Sequence, residues 1–180
     1  MQTPVHSFPP IEDASARTLI LGTMPGVASL TAQQYYAHPR NAFWGILGGL
    51  LGFDPKLDYT TRTQRLIADG IALWDVLQSC KRLGSLDSAI ETESIVANDF
   101  GRFFGQHPHI QNVYFNGASA EALYRRHVLR SLPLLSKRRY IRLPSTSPAN
   151  ASISVTAKAS AWRAVLATRT RNYTNGRHPR

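Results

Sequence analysis

One cysteine, Cys80, stands in a chain of 180 residues. A single thiol excludes an internal disulfide and any cysteine-held zinc or iron–sulfur site, and it suits a reducing compartment. Long apolar runs are also missing. None approaches the roughly 18 residues that a membrane-spanning helix needs, so no membrane partner is expected. The first residues carry Pro4, Pro9 and Pro10 without an apolar core, which does not read as a signal peptide. Acids are scarce: 11 Asp and Glu stand against 21 Lys and Arg, for a net charge of +10 with His neutral. The isoelectric point near 10.4 points to a polyanionic partner, nucleic acid first. No G-x-G-x-x-G or P-loop lysine follows a strand, which excludes a dinucleotide or triphosphate cradle. No G-x-S-x-G elbow is present, which argues against an α/β-hydrolase. His107 and His109 flank Pro108 with no third ligand nearby in sequence. They read as a surface loop rather than a metal site, and no metal or cofactor is expected.

What is present is an ordinary apolar content of 43%, enough for one globular domain over residues 1–168. Residues 169–180 form a basic tail expected to be disordered. Residues 1–16 read as an irregular arm. Short apolar runs at 18–21, 71–74, 113–115 and 140–143 read as buried strands. Helices are expected over 30–36, from Asn41 onward, over 61–69 with Gly70 as the stop, from Asn98 through Phe104, over 119–129 and over 156–168. Strands alternating with helices predict a four-stranded parallel sheet in a three-layer α/β/α arrangement.

Two turns then stand out. Gly22-Thr23-Met24-Pro25-Gly26 follows the first strand, and Ser145-Thr146-Ser147-Pro148-Ala149-Asn150 follows the last. Turns at the carboxyl ends of parallel strands share one crevice, where open α/β sheets bind ligands. Between them lies Tyr35-Tyr36-Ala37-His38-Pro39-Arg40-Asn41-Ala42-Phe43-Trp44. Asn41 is either a plain helix cap or an amide that reaches the crevice and holds a water. Tyr36 either packs in the core or stacks on a flat base. Asn116, at the end of the third strand beside Phe115, is either a turn former with Gly117 or a reader of a base edge. Asp75 and Asp87 are acids without an assigned role. Asp99 suits the first turn of a helix.

Taken in order, these segments resemble the uracil-DNA glycosylase superfamily over roughly residues 17–168. Gly22-Thr23-Met24-Pro25-Gly26 looks like the first motif of its mismatch-specific members, and the segment 36–44 looks like the run behind it. Residues 145–149 sit where the superfamily carries its second motif, the loop that enters the minor groove. Two departures are plain. Met24 replaces the asparagine or acid that positions water in other branches, and Ser145 stands near the place of a histidine. The combination most resembles the hypoxanthine-DNA (deoxyinosine) glycosylase branch, in which an asparagine after the first motif is thought to supply the catalytic amide. Asn41 is the matching position.

The resemblance implies a uracil-DNA glycosylase-like fold and a monofunctional glycosylase of base excision repair. Asn41 would be catalytic. Gly22, Thr23, Met24, Pro25, Gly26, Tyr36, Phe115 and Asn116 would form the base pocket, and Ser145, Thr146, Ser147, Pro148 and Ala149 the DNA-binding loop. No lysine lies in these motifs, so no Schiff-base lyase step is expected. The implied partner is DNA carrying a deaminated base, met by a monomer in the cytoplasm at the nucleoid. Alternatives are uracil or thymine excision from mismatches, a damaged-DNA-binding module without catalysis, and a small-molecule hydrolase using the same crevice.

Overall fold

The computed structural model describes residues 3–132 and 138–168, so the tail expected beyond residue 168 lies outside the described residues. A two-residue strand β1 (Val5–His6) precedes the central sheet. That sheet is built from β2 (Thr18–Gly22) and β3 (Ile71–Asp75), joined by two later strands. Between β2 and β3 run the helices α1 (Val27–Ala32), α2 (Phe43–Leu51) and α3 (Tyr59–Ala68). After β3 come β4 (Leu77–Cys80), β5 (Val96–Ala97) and the helix α4 (Phe100–Gln106). The chain closes with β6 (Asn112–Asn116), α5 (Ala118–His127), β7 (Arg139–Leu143) and α6 (Val155–Trp162).

The sheet order is β3-β2-β6-β7, and all three pairings are parallel. Every residue of β2 and β3 is buried. This explains why they read as unbroken apolar runs: a parallel sheet covered on both faces has no solvent side. α3 packs on β3, while α5 covers β6 and β7. The four expected strands are all present, and the registers Gly22↔Asp75 and Asn116↔Leu143 align their carboxyl ends along one edge.

The sequence reading missed a small antiparallel sheet, β1-β4-β5. It ties down the arm expected to be irregular. Val5 pairs with Cys80 and His6 with Ser79, and Ile11 bridges to Leu73. The Phe8 carbonyl accepts from Tyr35 Oη and Trp74 Nε1, each at 3.2 Å.

Helix boundaries moved for local reasons. The helix expected over 30–36 is α1, which stops at Ala32 because Gln33 (φ 53°) turns left-handed. α3 starts at Tyr59, capped by Asp58 Oδ1 accepting from the Thr61 N–H at 2.9 Å. Asp99, not Asn98, caps α4. Asn98 Nδ2 instead donates to the Asp75 and Leu77 carbonyls. Beyond α6 the chain tightens to a 3₁₀ helix over Arg163–Thr168. His107 is not a surface residue: its ring is buried, with Nε2 2.6 Å from Glu12 Oε2 and Nδ1 2.8 Å from the Phe103 carbonyl.

Candidate active site

A cavity of about 470 Å³ opens at the carboxyl edge of the sheet, lined by the ends of β2, β3 and β6 and by the turns after β2 and β7. Gly22, Thr23, Met24, Pro25 and Gly26 form one wall. Ser145, Thr146, Ser147, Pro148 and Ala149 form the facing one, and Asn41, Tyr36, Asp75 and Asn116 lie between. Thus residues separated by more than a hundred positions in sequence converge as parallel topology requires. Of the expected pocket residues, Phe115 alone lies elsewhere. Successive side chains on a strand point to opposite faces. Asn116 faces the cavity, while Phe115 is fully buried and packs against Tyr124 and Tyr140.

Gly22 sits where only hydrogen fits. A Cβ there would lie 2.5 Å from Asp75 Oδ1 and 2.9 Å from Tyr36 Oη. Both groups therefore press on the same point of the first motif. Tyr36 has φ 55°, a left-handed conformation uncommon for a bulky residue. One face of its ring stacks on Phe43 at a centroid distance of 3.9 Å. Its hydroxyl is close enough to the Asn116 amide to feel it, yet makes no well-formed hydrogen bond: like Asp75 Oδ2, it is buried without a partner among the described residues. Two buried polar atoms left open beside a cavity imply that something else satisfies them.

Burial, with the nearby Asp87 charge, raises Asp75 to about 8, against the opposing pull of Arg82. At neutral pH its carboxyl is protonated, able to donate and accept at once. Burial and then the Asp75 charge push Tyr36 upward too, so its hydroxyl keeps its proton. Asp87 is also raised by burial, while the hydroxyl of Thr23, the Arg82 charge and the Ser119 hydroxyl oppose that rise.

Asn41 lines the cavity but does not cap the helix: Ala42 holds the cap position, and Asn41 Oδ1 accepts from the Phe43 N–H at 3.0 Å in a turn just ahead of α2. A carbonyl oxygen has a second lone pair, so this bond and holding a water are compatible. Asn116 is tied to the facing turn. Its Nδ2 donates to Thr146 Oγ1 at 2.9 Å, and its Oδ1 accepts from the Thr146 N–H at 2.8 Å.

That second turn is held from three further sides. The Ala42 N–H donates to the Thr146 carbonyl at 3.0 Å. Lys158 of α6, only 4% exposed, donates from Nζ to the carbonyls of Asn150 (2.7 Å) and Ser147 (3.3 Å). Trp162 Nε1 donates to the Pro144 carbonyl at 2.9 Å. Gly117 (φ 102°) lets the turn come close, since a Cβ there would meet Ser145 Cβ at 2.9 Å.

Sequence reasoning gave Asp75 and Lys158 no role. Asp75 was within reach of the rule that picked out Asn116, a polar residue closing an apolar strand. Nothing in the spacing around Lys158 announces a buried ammonium.

An open doubly wound sheet with a crevice over its carboxyl edge, walled by a Gly-Pro turn and a Ser-Pro turn, defines a ligand-binding α/β domain. The chain belongs to the uracil-DNA glycosylase superfamily: the family model for the Uracil DNA glycosylase superfamily matches residues 9–166. It is 35% identical over 162 residues to a protein of Methanosarcina acetivorans named Hypoxanthine DNA glycosylase, covering 89% of this chain and 97% of that one. A protein of the same name from Methanosarcina barkeri is 40% identical over 113 residues, 62% of this chain and 70% of the relative. The fold is also similar to a solution NMR structure of a candidate uracil DNA glycosylase from Methanosarcina acetivorans. The TM-score is 0.73 at 32% identity, covering 91% of this chain and 99% of that one.

Proposed function

We propose that the chain is a monofunctional DNA glycosylase that releases hypoxanthine from deoxyinosine and so begins base excision repair. The observation that carries this reading is the pair of open, proton-bearing groups, the Asp75 carboxyl and the Tyr36 hydroxyl, beside a cavity that Asn41 also lines. A neutral carboxyl pairs with a lactam edge, its O–H donating to the ring carbonyl and its C=O accepting from the ring N–H. Hypoxanthine and uracil both present that edge. The two relatives named for hypoxanthine favour the purine.

The target base is unreachable inside a duplex, so the nucleotide swings into the cavity. A water held by the free lone pair of Asn41 Oδ1 attacks C1′. The C1′–N9 bond breaks, its electron pair leaves with the base, and the sugar passes through an oxocarbenium-like state. The charge on the departing purine spreads to its 6-oxygen, where a buried donor is worth most. The water loses a proton, the base gains one, and an abasic site remains. Lys and Arg in excess draw the phosphate backbone without regard to sequence. A monomer acting in the cytoplasm at the nucleoid fits this task.

The test is a panel of labelled duplexes carrying hypoxanthine, uracil, xanthine or thymine, read by alkali cleavage. Hypoxanthine release is expected to be fastest. Asn41→Ala is expected to slow single-turnover release by about 10²-fold. Fastest release of uracil or thymine would assign the mismatch-type activity. Tight abasic-site binding with no turnover on any duplex would assign a binding module, the reading that Met24 in the first motif favours.

A further inference from the structure

We infer that His38 makes the cavity selective for a purine: its Nε2–H donates to N7 of the extruded hypoxanthine. The inference deepens the glycosylase reading and rests on it.

The lactam edge that meets Asp75 does not separate hypoxanthine from uracil, since both bases carry it. The difference lies on the adjoining edge. Beside the 6-oxygen a purine presents N7, an acceptor, where uracil has only a C–H. A side chain that selects the purine must therefore be a donor at the flank of the cavity.

His38 is such a donor. It lines the cavity and is half-buried. Its ring is oriented by its own turn, because the Arg40 N–H donates to Nδ1 at 3.1 Å. A backbone N–H only donates, so Nδ1 accepts and the proton of the neutral ring lies on Nε2. Nδ1 is thereby occupied, and Nε2–H is the side of the ring left for a ligand. The backbone is fixed at the same place. The His38 carbonyl accepts from the Asn41 N–H at 2.8 Å, and Ser29 Oγ accepts from the Ala37 N–H at 3.2 Å. The purine reader and the water-holding amide thus share one turn and keep one spacing.

Other polar groups around the cavity are already engaged. Asn116 and Thr146 bind each other. Tyr35 Oη donates to the Phe8 and Pro9 carbonyls. Among the described residues that line the cavity there is no Lys or Arg, so His38 is the basic side chain there.

The test uses the full chain and duplexes in which the target base sits on a 2′-fluoro sugar that resists hydrolysis. One duplex carries hypoxanthine, the other 7-deazahypoxanthine, in which a C–H replaces N7. The parent should bind the first about tenfold more tightly, the scale of one hydrogen bond. His38→Ala should bind both alike, and so should His38→Phe, which keeps a ring without a donor. A damaged fold would weaken both complexes and leave their ratio standing. With a cleavable sugar, either variant should release hypoxanthine about tenfold more slowly in a single turnover. A parent that binds the two bases alike, or a preference that survives both substitutions, would overturn the assignment. Failure of the parent chain to release any base would instead overturn the glycosylase reading, and the binding ratio would still decide on His38.

Discussion

Asn116 and Thr146 grip each other end to end, the amide donating to the hydroxyl and accepting from the backbone N–H. The contact joins the end of β6 to the second-motif turn across the cavity. Asn116→Ala leaves the buried Thr146 polar groups without their partner, which costs about 1–3 kcal/mol. Thr146→Val keeps the backbone bond and should lose less. Urea denaturation of the two variants checks the order, and equal losses would remove the pairing from the account.

Gly22 tests how tightly the first motif is packed. Gly22→Ala drives a methyl against Asp75 Oδ1 and Tyr36 Oη. A stability loss of about 1–3 kcal/mol is expected, as for other overpacked sites, with base release falling further than stability alone explains. Melting temperature and single-turnover rate, measured together, separate the two.

Asp75 makes the pH profile informative. Its folded pKa of about 8 lies above the ordinary aspartate value. The folded chain therefore holds a proton that the unfolded chain has lost. This group's contribution to stability is full below the ordinary aspartate value and declines as pH rises to about 8. If the neutral form is active, base release falls on the alkaline side through the same value. Asp75→Asn, neutral at every pH, should flatten that limb while retaining measurable activity. An alkaline limb identical in both proteins would assign it elsewhere.

Lys158 holds the second-motif turn without reaching the cavity itself. Lys158→Met keeps the buried stem but removes the donors to Ser147 and Asn150. DNA affinity should weaken several-fold more than the rate of the bound complex falls. Titration under single-turnover conditions gives both quantities, and an effect confined to the rate would contradict the clamp.

Much of this fold is legible in the sequence, because β2 and β3 are apolar at nearly every position and Gly22, Gly26 and Pro148 punctuate the turns beside them. The paired turns followed from that topology, whereas Asn41 was singled out by the resemblance to the hypoxanthine-DNA glycosylase branch. What stayed hidden depends on distant partners. β4 and β5 are too short to show a period, and their register comes from the arm at Val5. Phe115 and Asn116 differ by one strand position, which separates core from cavity. The buried state of His107 needs Glu12, and that of Arg82 needs Pro25. The protonation of Asp75 is set by burial, which no local pattern reports.

The arm before β2 carries a practical lesson. Because the Phe8 carbonyl holds Tyr35 and Trp74 in place, and Tyr35 borders the cavity, protease trimming or a bulky fusion joined near Val5 would disturb the pocket from behind.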